Sequence, residues 1–167
     1  MGTVRRMSDD AERIALLHFL AEQRRAVLAV LDGLDDHAML TPVLPSGWSA
    51  AGLVEHLGHA ERHWFQEVLL GSAAPLPFED AGTPLRTTRP PADAFRFYAD
   101  TCARSDAIVA GLPLDTRPIG NHPPPLGDET TDLRRIILHM IEETARHAGH
   151  LDAARELLDG VTGLGPR

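Results

Sequence analysis

Apolar residues recur at three- and four-residue intervals along four stretches of this chain, and proline and glycine break the intervals between them. The first stretch opens at Ser8 or Asp9, either of which can cap a helix ahead of Glu12. Its expected inward face is Ile14, Leu17, Leu20, Ala21, Val27, Leu28 and Leu31, fraying near Gly33 and Leu34. A connector holding Pro42, Pro45 and Gly47 follows, with room for a short turn around His37 to Leu40. The second stretch runs from Gly47 to Gly71, with Ser46 or Ser49 as the cap and Leu53, Leu57, Ala60, Trp64 and Val68 turned inward.

The third stretch begins near Pro91 or Asp93 and stops at Gly111 and Pro113, with Phe95, Tyr98, Cys102, Ile108 and Val109 expected inside. Thr130 or Thr131 should cap the fourth, which carries Asp132 in its first turn, where the helix dipole favours an anion, and ends at Gly160. Leu133, Ile136, Met140, Leu151, Ala154 and Leu158 make its apolar stripe. No repeat and no β-type alternation appears. The pattern therefore predicts an all-α four-helix bundle, one domain over residues 1–167. Two Pro-rich connections, around residues 72–90 and 113–129, are longer than plain bundle turns, so non-adjacent helices can pair.

Composition narrows the partners. With 167 residues and 43% hydrophobic content the chain can build a core without staples. Its one cysteine, Cys102, forbids an internal disulfide, and the polar start MGTVRRMSDDAER lacks a signal peptide's apolar run, so the cytoplasm is the expected compartment. No apolar stretch reaches the ~20 residues of a membrane span. A net charge of -8 argues against nucleic acid as a partner.

Chemistry concentrates on the second and fourth stretches. Glu143 and His147 stand four apart on a helix, side by side on one face, with His147 near the middle of the apolar stripe. A carboxylate or imidazole there must be hydrogen-bonded, neutralised or bound to a cation. On the second stretch His56, His59 and His63 line one edge, and His56, next to the core position Leu57, is the best third ligand. Three protein ligands with positions left open describe a catalytic metal site, zinc or nickel foremost and iron or manganese after them. The plainer alternative is that His147 is a core histidine bonded to a carbonyl or to Glu143 itself, with His56, His59 and His63 on a solvated edge.

The segments WSAAGLVEHLGHAERHWF and HMIEETARHAGHLDAARELLDG resemble the DinB-like superfamily, which includes mycothiol-dependent maleylpyruvate isomerases and YfiT-type hydrolases. Within it the EETARHAGHLD signature is similar to that of an actinobacterial branch. The resemblance implies an up-down-down-up four-helix bundle with a divalent metal held by His56, Glu143 and His147. Many relatives have histidine at both fourth-helix positions, whereas Glu143 takes the first here, as in the isomerase-like branch. His150 falls where many relatives carry glutamine, which places it behind the ligands.

The leading functional expectation is a metal-dependent thiol S-transferase or isomerase, with mycothiol as the thiol the resemblance implies and a small electrophile as the substrate. His59 or His63 are candidates to orient a ligand or shuttle a proton, and Trp64 or Tyr98 to wall the pocket, with edge solvation and core packing as the alternatives. Cys102 has no basic neighbour to activate it. A metal-dependent hydrolase, with Glu67 or another carboxylate as base, and a non-catalytic small-ligand-binding bundle are the rivals. Arg86, Arg89 and His122 in the Pro-rich loops could gate the site or bind a substrate anion, and an apolar strip on the first or third helix could form a homodimer.

Overall fold

Six helices, and no strand, occur among the described residues of the computed structural model, which are residues 2–76 and 85–163, with side chains from Asp10 onward. Four are long and two short. α1 spans Gly2–Leu31, α2 Asp36–Leu40, α3 Ala50–Arg62, α4 Pro91–Ala110, α5 Leu126–Glu129 and α6 Leu133–Asp159. A π-helical stretch, His63–Val68, continues α3 without a break. α1 lies chiefly against α6, and α3 against α4, so the first and last helices pair although they are far apart in sequence.

The local signals explain most of the boundaries. The Ser49 hydroxyl accepts from the Gly52 N–H and opens α3, and the Asp35 carboxylate does the same for Ala38 in the short turn α2. Pro91 takes the first position of α4. Gly160, at φ 78°, turns left-handed to end α6. Two caps differ from expectation. α1 begins at Gly2, well before Ser8. Asp132, and not Thr130 or Thr131, caps α6, its carboxylate accepting from the Arg135 N–H. The third connection also contains α5, which has no apolar periodicity to announce it.

Two apolar clusters fill the interior. One gathers Leu20, Trp64, Phe65, Val68, Val109, Leu133, Ile136 and Met140, and the other Val27, Leu31, Leu53, Leu57, Tyr98, Ala148 and Leu151. On every long helix a buried polar residue falls between them: Arg24 on α1, Glu61 on α3, Ser105 on α4 and Thr144 on α6. Arg24 grips Glu61 with two parallel bonds of 2.7 and 2.8 Å, and reaches Asp106 at 2.7 Å. Burial alone would pull the Arg24 pKa down, but the charge and hydrogen bond of Glu61 outweigh it, and the guanidinium stays ionised.

Several residues expected inside are elsewhere. Ile14 and Leu28 are exposed, because α1 presents Leu20, Arg24, Val27 and Leu31 to its neighbours. On α4 Phe97 is buried while Phe95 and Cys102 are only half-buried. Phe97 takes the inner place because Gly58 opposite has no side chain, and a Cβ there would meet the ring at 2.6 Å.

The polar layer yields a stability prediction. Glu61 is fully buried, so Glu61→Ala strands the Arg24 charge and should lower unfolding stability by about 3–5 kcal/mol. Asp106 is 63% exposed, and Asp106→Ala should cost under ~1 kcal/mol. Urea denaturation midpoints of the two variants compare them directly, and equal losses would refute this ranking.

Candidate functional site

His56 is carried by the middle of α3, and Glu143 and His147 by successive turns of α6. The two helices bring the three tips together. Glu143 Oε1 lies 3.3 Å from His56 Nε2 and 2.9 Å from His147 Nε2, and the donor atoms of all three residues fall within 4.8 Å of one another. The imidazole rings of His56 and His147 meet edge to face at 5.2 Å. All three side chains are partly buried. Hydrogen bonds from His147 first and His56 second hold the Glu143 carboxyl well below its ordinary range, against the opposing effect of burial.

The imidazole behind this cluster is His150, whose Nδ1 lies 3.4 Å from His147 Nδ1 and whose ring approaches Trp48. If His147 binds an ion through Nε2, its Nδ1 carries the proton and donates it to His150.

His56 and Glu143 open onto a cavity of about 490 Å³. His59, Ala60, Trp64, Leu76, Leu126 and His139 line its middle, and Arg62, His63, Glu67 and His122 its far side. Trp64, a candidate wall, is one. Tyr98, the other, is not among the lining residues: it is buried in the cluster with Val27 and Leu57. Of the two auxiliary histidines, His59 rests on the Phe97 ring at 4.7 Å, while His63 binds Glu67 and His122. Glu67, the candidate base of a hydrolase, is already engaged by Arg62 and His63. The His63 hydrogen bond, then that of Arg62, keeps it below the usual carboxylate range although burial pushes the other way.

The remaining candidates divide. Arg86 is exposed, and Arg89 forms an ion pair with the buried Glu55 at 2.5 Å, so neither lines this cavity. His122 does, stacked at 4.6 Å on Trp64. Cys102 stands apart, its thiol pushed well above the usual range by burial and by the Glu61 charge, which agrees with an unreactive packing role. One residue was missed. His139 sits one turn before Glu143 on the same face, contacts Trp64 at 4.5 Å and lines the cavity. Its four-residue spacing from Glu143 was the available signal. Burial is the first cause holding its pKa below the usual imidazole value.

Comparison with known proteins adds the lineage. No curated protein and no solved structure matches the chain. A family model described as Mycothiol-S-transferase matches residues 15–160, a span that includes His56, the cavity and all of α6. The chain therefore belongs to the mycothiol S-transferase family, within the DinB-like superfamily.

Proposed function

We propose that this chain holds one divalent metal ion on His56, Glu143 and His147 and transfers a low-molecular-weight thiol, mycothiol first among them, to a small electrophile. Family membership supports the thiol. The observation that carries the metal is the ionised Glu143 carboxylate lying between two imidazoles at the edge of the cavity. Ligands ~2.1 Å from a tetrahedral ion stand about 3.4 Å from one another, close to the 3.3 and 2.9 Å separations here. Two imidazoles and a carboxylate suit zinc or nickel, and iron or manganese after them.

Bound there, the ion would act as a Lewis acid that lowers the pKa of a thiol at its open positions. The protein supplies the rest. His150 orients the His147 ring, and Trp64, Leu76 and Leu126 form an apolar wall that excludes water from the reacting sulfur. The thiolate then attacks an electrophilic carbon. In this reading the four long helices form a single up-down-down-up bundle domain acting in the cytoplasm, and the exposed Ile14 and Leu28 of α1 offer an apolar face for a homodimer.

Two experiments test this. By elemental analysis and titration calorimetry, His56→Ala, Glu143→Ala and His147→Ala should each reduce bound zinc from about one ion per chain to near none, while His150→Ala weakens affinity about 10–100-fold. A wild type that cannot be loaded with zinc or nickel would leave a non-catalytic small-ligand binder as the better account.

The second is a panel of epoxides, alkyl halides and enones offered with and without mycothiol. Turnover should require the thiol, vanish with a chelator and return with metal. Turnover indifferent to thiol would identify a metal-dependent hydrolase instead.

A further inference from the structure

The far side of the cavity contains a second constellation that the metal cluster does not use. His63 spends both ring nitrogens: Nδ1 lies 2.7 Å from Glu67 Oε2, and Nε2 lies 2.9 Å from His122 Nδ1. Glu67 is also held by Arg62, whose guanidinium is anchored on the Ala74 carbonyl at 2.9 Å. The ionised carboxylate can only accept, so in its uncharged form His63 donates from Nδ1 and accepts at Nε2. His122 must then donate from Nδ1. Its Nε2 remains as a lone-pair base, with no hydrogen bond among the described residues, on a side chain that lines the cavity.

The loop bearing His122 is locked in place. The Ile119 N–H donates to the Leu69 carbonyl at 3.1 Å and the Gly120 N–H to the Val68 carbonyl at 2.8 Å, at the end of the π-helical stretch. Gly120 allows this approach, because a Cβ there would run into the Glu67 carbonyl. Stacking on Trp64 fixes the His122 ring from a second direction. Such fixation is unexpected of a solvated surface histidine. His63 stands seven residues, about 10 Å of helix, beyond His56, so the two constellations face opposite parts of one cavity.

We propose that His122, backed by His63 and Glu67, is the proton shuttle of the thiol transfer. This rests on the S-transferase reading above. The thiol S–H bond breaks with its electron pair left on sulfur, and the proton passes to His122 Nε2, directly or over one water. His122 Nδ1 can pass its own proton to His63 Nε2, so the positive charge comes to rest beside the Glu67 carboxylate. When sulfur bonds to the electrophilic carbon and a C–O or C=C electron pair moves to the neighbouring atom, that atom takes the proton back. The relay ends as it began, with no outside oxidant or reductant.

The titratable and charged groups that share its cavities are Arg62, His63 and Glu67 on the second long helix, His139 and Glu143 on α6, and, in a neighbouring cavity that His122 also lines, Arg117 and Asp128. Burial first, then His63 and His139, keeps the His122 pKa below the usual imidazole value, so the base is neutral and ready near pH 7. Protonation on acidification should then switch the reaction off.

The test combines kinetics with imidazole 15N resonance in the metal-loaded protein. His122→Gln should bind metal like the wild type, lose about 100–1000-fold in kcat/KM and lack the acid limb of the pH profile. Glu67→Gln removes the anion that favours the protonated relay, so its acid limb should move to lower pH. Wild-type His122 should show the Nδ1–H tautomer and lose it in His63→Phe, which has no acceptor for that proton. An active wild type matched by an equally active His122→Gln with its acid limb intact, or an Nε2–H tautomer on His122, overturns the relay alone. A wild type with no thiol-dependent turnover overturns the transferase reading, and with it this use of the relay.

Discussion

The Arg24–Glu61 pair constrains the whole interior. Both charges lie out of water, and each is tolerable only while the other is within bonding distance. Sliding α1 along α3 by one turn would separate them by about 5 Å and leave two buried charges unpaired. The pair thus sets the register of the first two long helices. α1 in turn lies against α6, where Arg134 binds Glu12 and Arg155 donates to the Val30 and Asp32 carbonyls. Glu61 stands five residues after His56 and two before His63. The helix carrying both histidines is fixed from the inside, by a buried ion pair that lies outside the cavity lining.

With that helix fixed, two local devices shape the cavity. The π-helical turn places Trp64 and Phe65 in the core and keeps His63 and Glu67 on the cavity side. It also ends in carbonyls that accept from the loop at Ile119 and Gly120, bringing a distant segment over the histidine edge. A π-turn is unfavourable in itself and persists where its surroundings compensate. Here the compensation includes the loop bonds and the burial of Trp64, Phe65 and Val68.

The fourth helix was legible almost completely, because its information is local. Apolar spacing gives its face, Gly160 its end, and Glu143 and His147 at four residues share one side whatever surrounds them. His56 could be joined to them because its neighbour Leu57 marks the core direction. Errors arose where neighbours decide. Ile14 and Phe95 fit a helical stripe, but the buried places went to Arg24, which pairs with Glu61, and to Phe97, which fills the space over Gly58. Periodicity cannot find a buried arginine, since composition rules place charge outside. Tyr98 is buried with Val27 and Leu57, as its place in the helical stripe led one to expect. His122 was legible as a loop residue that could gate the site, but its contact with His63 and Trp64 was not. Its place depends on an α-to-π change and on loop bonds across more than fifty residues, neither of which leaves a periodic trace.

Glu143 also bears on why a carboxylate stands among imidazoles. Without an ion, Oε1 accepts from Nε2–H on both His56 and His147, so the three side chains already converge and little ordering remains for a cation to impose. A histidine at this position would be neutral, with one acceptor nitrogen at most, and could not bridge two imidazole donors at once. The carboxylate therefore does two things. It preassembles the cluster through hydrogen bonds, and it carries a negative charge that would reduce the net charge of the proposed dication from two to one. Lower net charge softens the pull on a thiol's sulfur, which leaves the thiolate more nucleophilic and makes a separate proton acceptor more valuable. The three linked side chains of Glu67, His63 and His122, on the other side of the cavity, are the acceptor proposed above.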